Sequence, residues 1–384
     1  MNIIYITNSR IPTHKAHGVN IMQMCFNFAD CGVKVKLMLP KRKNEIVSDP
    51  FNYYRLPANF TITNVPVFDA VDRRWPYGFL IVQFFYSIQL FFSRNLGDKK
   101  NVIIFSRDHF SALLLAWRGY KVFHDLHGFP DKNWWFWKII LKNMTGIITT
   151  NLWKKQQCME KFNIPAKKFL VFPNGFDLQK FSNLPNKQDS RRKLSLPDSK
   201  SLAVYTGQLY DWKGANFLTK AAVQLPEVLF IFVGGDKSLV EDFKKSYKAD
   251  NCIFLGHQPY YNIPLYLSAA DVLVLPNSKH AKDKRFSIFS QYDTSPIKLF
   301  EYMSSKRPII ASNLPSILEI LNKDNAIIFK ADSTDSFIKN MRKLLKDNPL
   351  GQKVADRANQ DVQQYSWKKR AIAILQFIEH HVEN

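Results

Sequence analysis

Cysteine is scarce: the four in the chain are Cys25, Cys31, Cys158 and Cys252. Their spacing matches neither a metal-ligand pattern nor a disulfide framework, so the sequence reads as one from a reducing compartment. Acidic residues are also few, 32 Asp and Glu against 54 Lys and Arg, which leaves a formal net charge of +22. An excess of that size asks for a polyanionic partner or an anionic surface. Nucleic acid lacks support, because there is no zinc-finger spacing, no RNP-type aromatic motif and no long Lys/Arg block. A secretory leader is not expected either, since residues 1–7 read directly as a strand. The longest apolar run, 75–92, is about the minimum length of a membrane span. It is interrupted by Pro76, Gly78, Gln83, Ser87 and Gln89. The run therefore predicts a mostly buried helix, with interfacial membrane contact as the second reading.

What the chain does have is apolar content, 46% of 384 residues, enough for two sizeable cores. Short β-branched runs at 3–7, 33–39, 102–105, 122–126, 146–150, 202–205, 228–233, 253–257 and 271–276 alternate with helical patterns. That alternation predicts α/β architecture with two doubly wound domains, placed at 1–185 and 186–365, and a last helix over 366–384. The polar stretch 182–200 reads as the linker. In open parallel sheets ligands sit beyond the carboxyl ends of strands, where Arg107 and His127 are expected. Four large aromatics in a row, Trp134, Trp135, Phe136 and Trp137, cannot all face one core, because successive helical residues point about 100° apart. With Lys132, Lys138 and Lys142 nearby, an interfacial anchor and packing against a neighbouring domain or acceptor both stay open.

The stretch 291–311 organises the rest. It predicts a polar loop, a helix capped by Ser295 with Pro296 in its first position, and then a strand. Asp293 and Glu301 bracket the helix start. The amides around Ser295, Pro296 and Ile297 form an anion site there. Carboxylates beside an anion site suit a diphosphate that carries sugar hydroxyls at both ends. The preceding loop, 277–294, is long and basic and reads as a lid or an acceptor contact.

Asp293-x7-Glu301 followed by Tyr-Met-Ser-Ser-x-x-Pro-Ile-Ile-Ala resembles the Glu-x7-Glu signature of retaining glycosyltransferases of family 4. The resemblance implies the GT-B fold, two Rossmann-like domains facing across a cleft, the second holding the nucleotide sugar. Pro173-Asn174-Gly175-Phe176-Asp177 is similar to the family's Pro-Asn-Gly-Val-Asp turn, and His124-Asp125-Leu126-His127-Gly128 to its N-domain motif. Two departures stand out. Asp293 replaces the first Glu, and Gln208 in Thr206-Gly207-Gln208 replaces an Arg, so one diphosphate cation is missing. Lys298 is the candidate substitute, with Lys284 or Arg285 as others.

The resemblance implies the following roles. Glu301 holds the ribose, Asp293 a donor hydroxyl, and His127 contacts the sugar. Lys213, with the amides of Ser295 to Ile297, neutralises the leaving diphosphate. Gly18, Arg107, Gly207 and Gln208 line the donor, and Gly256 and His257 lie near the base. No cofactor or metal is expected, since no Asp-x-Asp pair sits at a strand end. The expected reaction is sugar transfer with retention from a nucleotide-diphosphate sugar, UDP preferred and GDP possible. The acceptor is a saccharide or lipid-linked saccharide for cell-surface glycan synthesis. The expected location is the cytoplasm, possibly the inner face of an anionic membrane. The alternatives are a nucleotide-sugar epimerase of the same fold, a basic nucleic-acid-binding protein and a catalytically impaired scaffold.

Overall fold

The computed structural model describes residues 1–73, 75–246 and 249–383. The chain divides into two compact units, Met1–Asn174 together with the chain from Trp367 onward, and Gly175–Ser366. The first holds a parallel sheet of seven strands: β1 (Asn2–Ile6), β2 (Lys34–Pro40), β3 (Thr61–Val65), β4 (Val102–Ser106), β5 (Lys121–Leu126), β6 (Gly146–Thr149) and β7 (Phe169–Val171). Their order is β3-β2-β1-β4-β5-β6-β7. The second unit holds six: β8 (Ser201–Thr206), β9 (Val228–Val233), β10 (Cys252–Gly256), β11 (Val272–Leu275), β12 (Ile309–Ser312) and β13 (Ile327–Phe329), in the order β10-β9-β8-β11-β12-β13.

Central strands such as Val-Ile-Ile-Phe-Ser (β4) and Val-Leu-Phe-Ile-Phe-Val (β9) are apolar without alternation because helices cover both of their faces. In each sheet the winding direction reverses once, between β1 and β4 and between β8 and β11. A doubly wound sheet opens its ligand crevice at that reversal, beyond the strand ends.

The last helix, Trp367–Glu383, completes the first unit. Its Lys368 meets Asp30 at 2.9 Å, and its Phe377 ring lies 5.9 Å from that of Phe123. Three local expectations need correction. The stretch 182–200 is no loose linker, since the division falls earlier, at Asn174/Gly175, and 187–193 is helical. Arg191 fixes it, pairing with Asp271 at 2.5 Å and donating to the Ala269 carbonyl. The loop 277–294 carries a short helix, Lys284–Ile288, and a π-helical turn, Phe289–Asp293. Stacking of Phe286 and edge contact of Phe289 on Trp212 hold that segment down.

The third correction concerns 75–92. The helix there, Gly78–Phe92, is not mostly buried, because Phe79, Leu80, Phe84, Phe85 and Phe92 are exposed. Of the polar residues that interrupt the apolar run, Gln83 and Ser87 have turned inward, whereas Gln89 is exposed. Asn8 donates to Gln83 at 2.7 Å, Gln83 to Ser87 at 3.0 Å, and Ser87 meets Ser111 at 2.9 Å.

Candidate active site

In the second unit the site is built where β8 and β11 diverge. Gly207 follows β8 with φ of +124°, a backbone state that favours glycine, and its amide donates to Val233 at the end of β9. The next turn, Asp211–Lys213, closes on Gly214, where φ is +77° and an added Cβ would sit 1.7 Å from the Pro276 carbonyl oxygen. Only glycine fits there, so Lys213 is locked beside the exit of β11. The Trp212 carbonyl accepts from the Ser278 amide (2.9 Å) and the Ser290 hydroxyl (3.2 Å), tying the two exit loops together.

The helix of the central motif spans Ile297–Ser304 and is pinned to β8 by Tyr302, whose hydroxyl accepts from the Thr206 amide at 2.8 Å. It starts one residue later than predicted. Pro296 is extended (φ −71°, ψ 126°) and occupies the cap position in place of Ser295. Pro296 has no N–H, and the Leu299 amide already donates to the Pro296 carbonyl at 3.1 Å. The first-turn amides that point out of the helix are therefore those of Ile297 and Lys298.

Lys298 turns back from this turn over the ring of Tyr205, with Nζ 3.9 Å from the centroid. Among the described residues, Nζ is shielded from solvent and has no hydrogen-bond partner. An added Cβ on Gly207 would lie 3.8 Å from it. Burial, and then the neighbouring Lys213 charge, hold Lys298 well below the usual lysine range against the pull of Glu301. Burial alone lowers Lys213 to about 8. Two cations with depressed pKa values thus converge on the helix start. Arg285 serves its own helix, donating to Asp283 at 3.0 Å. Gln208 approaches Asp236 only at 3.5 Å.

Glu301 is buried, which raises its pKa, while a hydrogen bond from the Tyr260 hydroxyl (2.8 Å) works the other way. Lys180 sits 4.3 Å from the Tyr260 ring centroid and backs that pair. Asp293 is also buried, at the end of the π-helical turn. Gly256 ends β10 with its carbonyl accepting from the Gly234 amide (2.7 Å), and His257 beside it is exposed.

In the first unit a separate group lines the reversal between β1 and β4. Arg107, just past β4, donates to Asn20 at 3.0 Å, and Asn20 donates to Asn174 at 2.8 Å. Gly18 lies inside the helix Ala16–Asp30, in its first turn. Its missing side chain makes room for the Tyr54 hydroxyl, 2.1 Å from where a Cβ would be. His127, past the end of β5, contacts Asp125 through Nε2 at 2.8 Å, and Asp125 accepts from fully buried Arg370 at 2.7 Å. Burial favours a neutral Asp125, yet Arg370, His127 and Arg107 hold its carboxyl well below the usual range. Burial and Arg107 push His127 down to about 3 against the attraction of Asp125. At neutral pH the pair is carboxylate and neutral imidazole. The proton is then assigned to Nε2, leaving Nδ1 as an acceptor for a hydroxyl. His124 lies within β5, as expected.

Comparison with known proteins decides what this arrangement belongs to. Residues 186–361 match the family "Glycosyl transferases group 1". That span is similar to a group 1 glycosyl transferase domain. The chain is 27% identical over 252 residues to the Escherichia coli UDP-Gal:alpha-D-GlcNAc-diphosphoundecaprenol alpha-1,3-galactosyltransferase. That match covers 60% of this chain and 61% of the relative. Two solved structures share the whole fold. HepE of Anabaena, in complex with UDP, superposes with a TM-score of 0.73 at 13% identity over 99% of this chain and all of the other. Sucrose-phosphate synthase from Thermosynechococcus elongatus gives 0.75 at 15% identity over 99% and 98%. The architecture is GT-B.

Within that span, 186–361, Gly207, Gln208, Lys213, Ile297, Lys298 and Glu301 come together around the helix start. Tyr260, Lys180 and Tyr302 escaped the sequence reading, as did Asp125 and Arg370 in the first unit. The motif Asp125-x-His127 was a signal for Asp125, but nothing local marks Arg370.

Proposed function

We propose that this chain transfers a sugar from a nucleotide-diphosphate donor, a UDP-sugar in preference to a GDP-sugar, with retention and without a metal ion. The acceptor is a saccharide or lipid-linked saccharide in cell-surface glycan synthesis, met at the cytoplasmic face of the membrane. One observation carries the reading. Lys298 Nζ is buried without a hydrogen-bond partner next to Lys213 and the open amides of a helix start. Unpaired buried cations are costly. A diphosphate supplies the missing anion, and Lys298 takes over the charge that Gln208 lacks.

Negative charge grows on the leaving diphosphate as the glycosidic bond breaks. Preorganised cations and amides at that point act on the transition state more than on the ground state. Following the resemblance, the acceptor hydroxyl attacks the face that the diphosphate leaves and hands its proton to a phosphate oxygen. Glu301 takes the ribose hydroxyls with its carboxylate steadied by Tyr260, and Asp293 a donor hydroxyl. The donor and acceptor in the name of the E. coli galactosyltransferase, and the UDP bound to HepE, support the choice of UDP and of a lipid diphosphate acceptor.

Calorimetric titration with UDP, GDP and ADP in EDTA tests this. UDP should bind without metal, and Glu301→Gln should weaken it roughly 10- to 150-fold, the value of one charge-assisted hydrogen bond. Failure of every nucleotide to bind would overturn the assignment. Donor isomerised with no acceptor sugar consumed would make the chain an epimerase.

A further inference from the structure

Three helices of the first unit, Gly78–Phe92, His109–Trp117 and Trp134–Asn143, lie side by side. The Ser87–Ser111 contact joins the first two, and the 5.2 Å approach of the Phe110 and Phe136 rings joins the last two. The first helix is apolar on both sides: Val82, Tyr86 and Leu90 are buried, and a second apolar row faces outward. Gln83 and Ser87 are 5% and 2% exposed, while Leu80, Phe84 and Phe92 are 57%, 60% and 71% exposed. Phe110 and Trp117 on the second, and Trp134, Trp135 and Ile139 on the third, continue the outward apolar side. A helix that buries glutamine and exposes phenylalanine is built for surroundings less polar than water.

The charges around this face select among the possible occupants. Arg73 precedes the first helix and Arg94 follows it, Lys132 precedes the third and Lys142 lies in its last turn, with Asp72 and Asp131 as adjoining acids, Asp72 paired with Lys43. Basic groups at the ends of helices with aromatic flanks match a bilayer surface, where rings enter the acyl boundary and Lys and Arg stay with anionic headgroups. No helix among the described residues is long and apolar enough to cross a membrane.

We infer that this three-helix face beds into the surface of a bilayer containing anionic lipid, with Phe84, Trp134 and Trp135 inserted and the basic helix ends on the headgroups. The inference deepens the membrane location given in the proposed function but not the sugar transfer itself, so vesicle binding and UDP binding can fail separately.

Co-sedimentation of the full chain with phosphatidylcholine vesicles, with and without phosphatidylglycerol, tests it. Binding should need phosphatidylglycerol and fall about fivefold for each basic group screened by salt. The double substitution Phe84→Ser and Trp135→Ser, at exposed positions, should lower binding about tenfold or more while leaving the melting temperature unchanged. If that variant melts early, the wild type still decides. Lipids brominated near the carbonyl end of the chains should quench its tryptophan emission. Unquenched emission overturns the inference, as does wild-type protein that stays in the supernatant. A self-associating chain whose dimer, rather than vesicle binding, is lost in the double variant would make the face a contact between copies, and also overturns it.

Discussion

The two units handle buried charge in opposite ways. In the first unit the opposite charges of Arg370 and Asp125 are fully buried and meet at 2.7 Å, and Asp125 also holds the neutral imidazole of His127. In the second unit Lys298 is only partly buried as a residue, but its Nζ is shielded from solvent and lies against a ring face. A closed pair is scaffolding, whereas an open cation is a vacancy for an anion. The difference separates residues that position from residues that bind, although both kinds have strongly shifted pKa values.

The comparison breaks most sharply at Arg370. Arg370→Ala takes the ion-pair partner from the buried Asp125 carboxylate and leaves it only the His127 hydrogen bond, and stability should fall by about 3–5 kcal/mol in denaturant melts. Adding Asp125→Asn should recover part of that loss. Full additivity of the two changes would show that the ion pair does not hold this region.

Lys298→Met should do the reverse. Removing an unpaired desolvated charge should leave stability unchanged or higher, while UDP affinity drops by about tenfold, the value of one charge-assisted contact. A destabilised variant that still bound UDP normally would make Lys298 structural.

Lys213 sharpens the contrast through pH. Its pKa of about 8 lies below the unfolded value of 10.5, so the free protein loses this cation as pH rises through 8. UDP affinity should weaken above pH 8 by up to about tenfold per unit, with proton uptake on binding. Lys213→Arg should flatten the profile. The same shift costs stability below pH 8, and that cost is relieved as pH rises towards 10.5, because there the unfolded chain binds the extra proton.

The smallest effect is expected at Tyr260. Tyr260→Phe removes the donor that steadies Glu301, and UDP affinity should fall about two- to tenfold with the fold intact. An unchanged affinity would confine Tyr260 to packing.

Much of this was legible in the chain. Uninterrupted apolar strands, the exits at Arg107, His127 and Gly207, and the Asp293–Glu301 spacing are local patterns. They placed the strands and the central motif, and the substitution at Gln208 pointed to Lys298. Helix boundaries were less legible. Ser295 and Pro296 both suit a helix start, and only the path out of the π-helical turn chose between them.

Composition and short-range spacing, then, determined the α/β class, the charge excess and the family motif, because these depend on neighbours in sequence. Tertiary structure alone decided which groups are satisfied. Asp125 meets an arginine 245 residues away, Glu301 a tyrosine 41 residues away, and Gln83 an asparagine 75 residues away. The same glutamine in an apolar run could face water or a buried amide. The partner supplied by the sheet, not the helix's own sequence, turned it inward and its phenylalanines out.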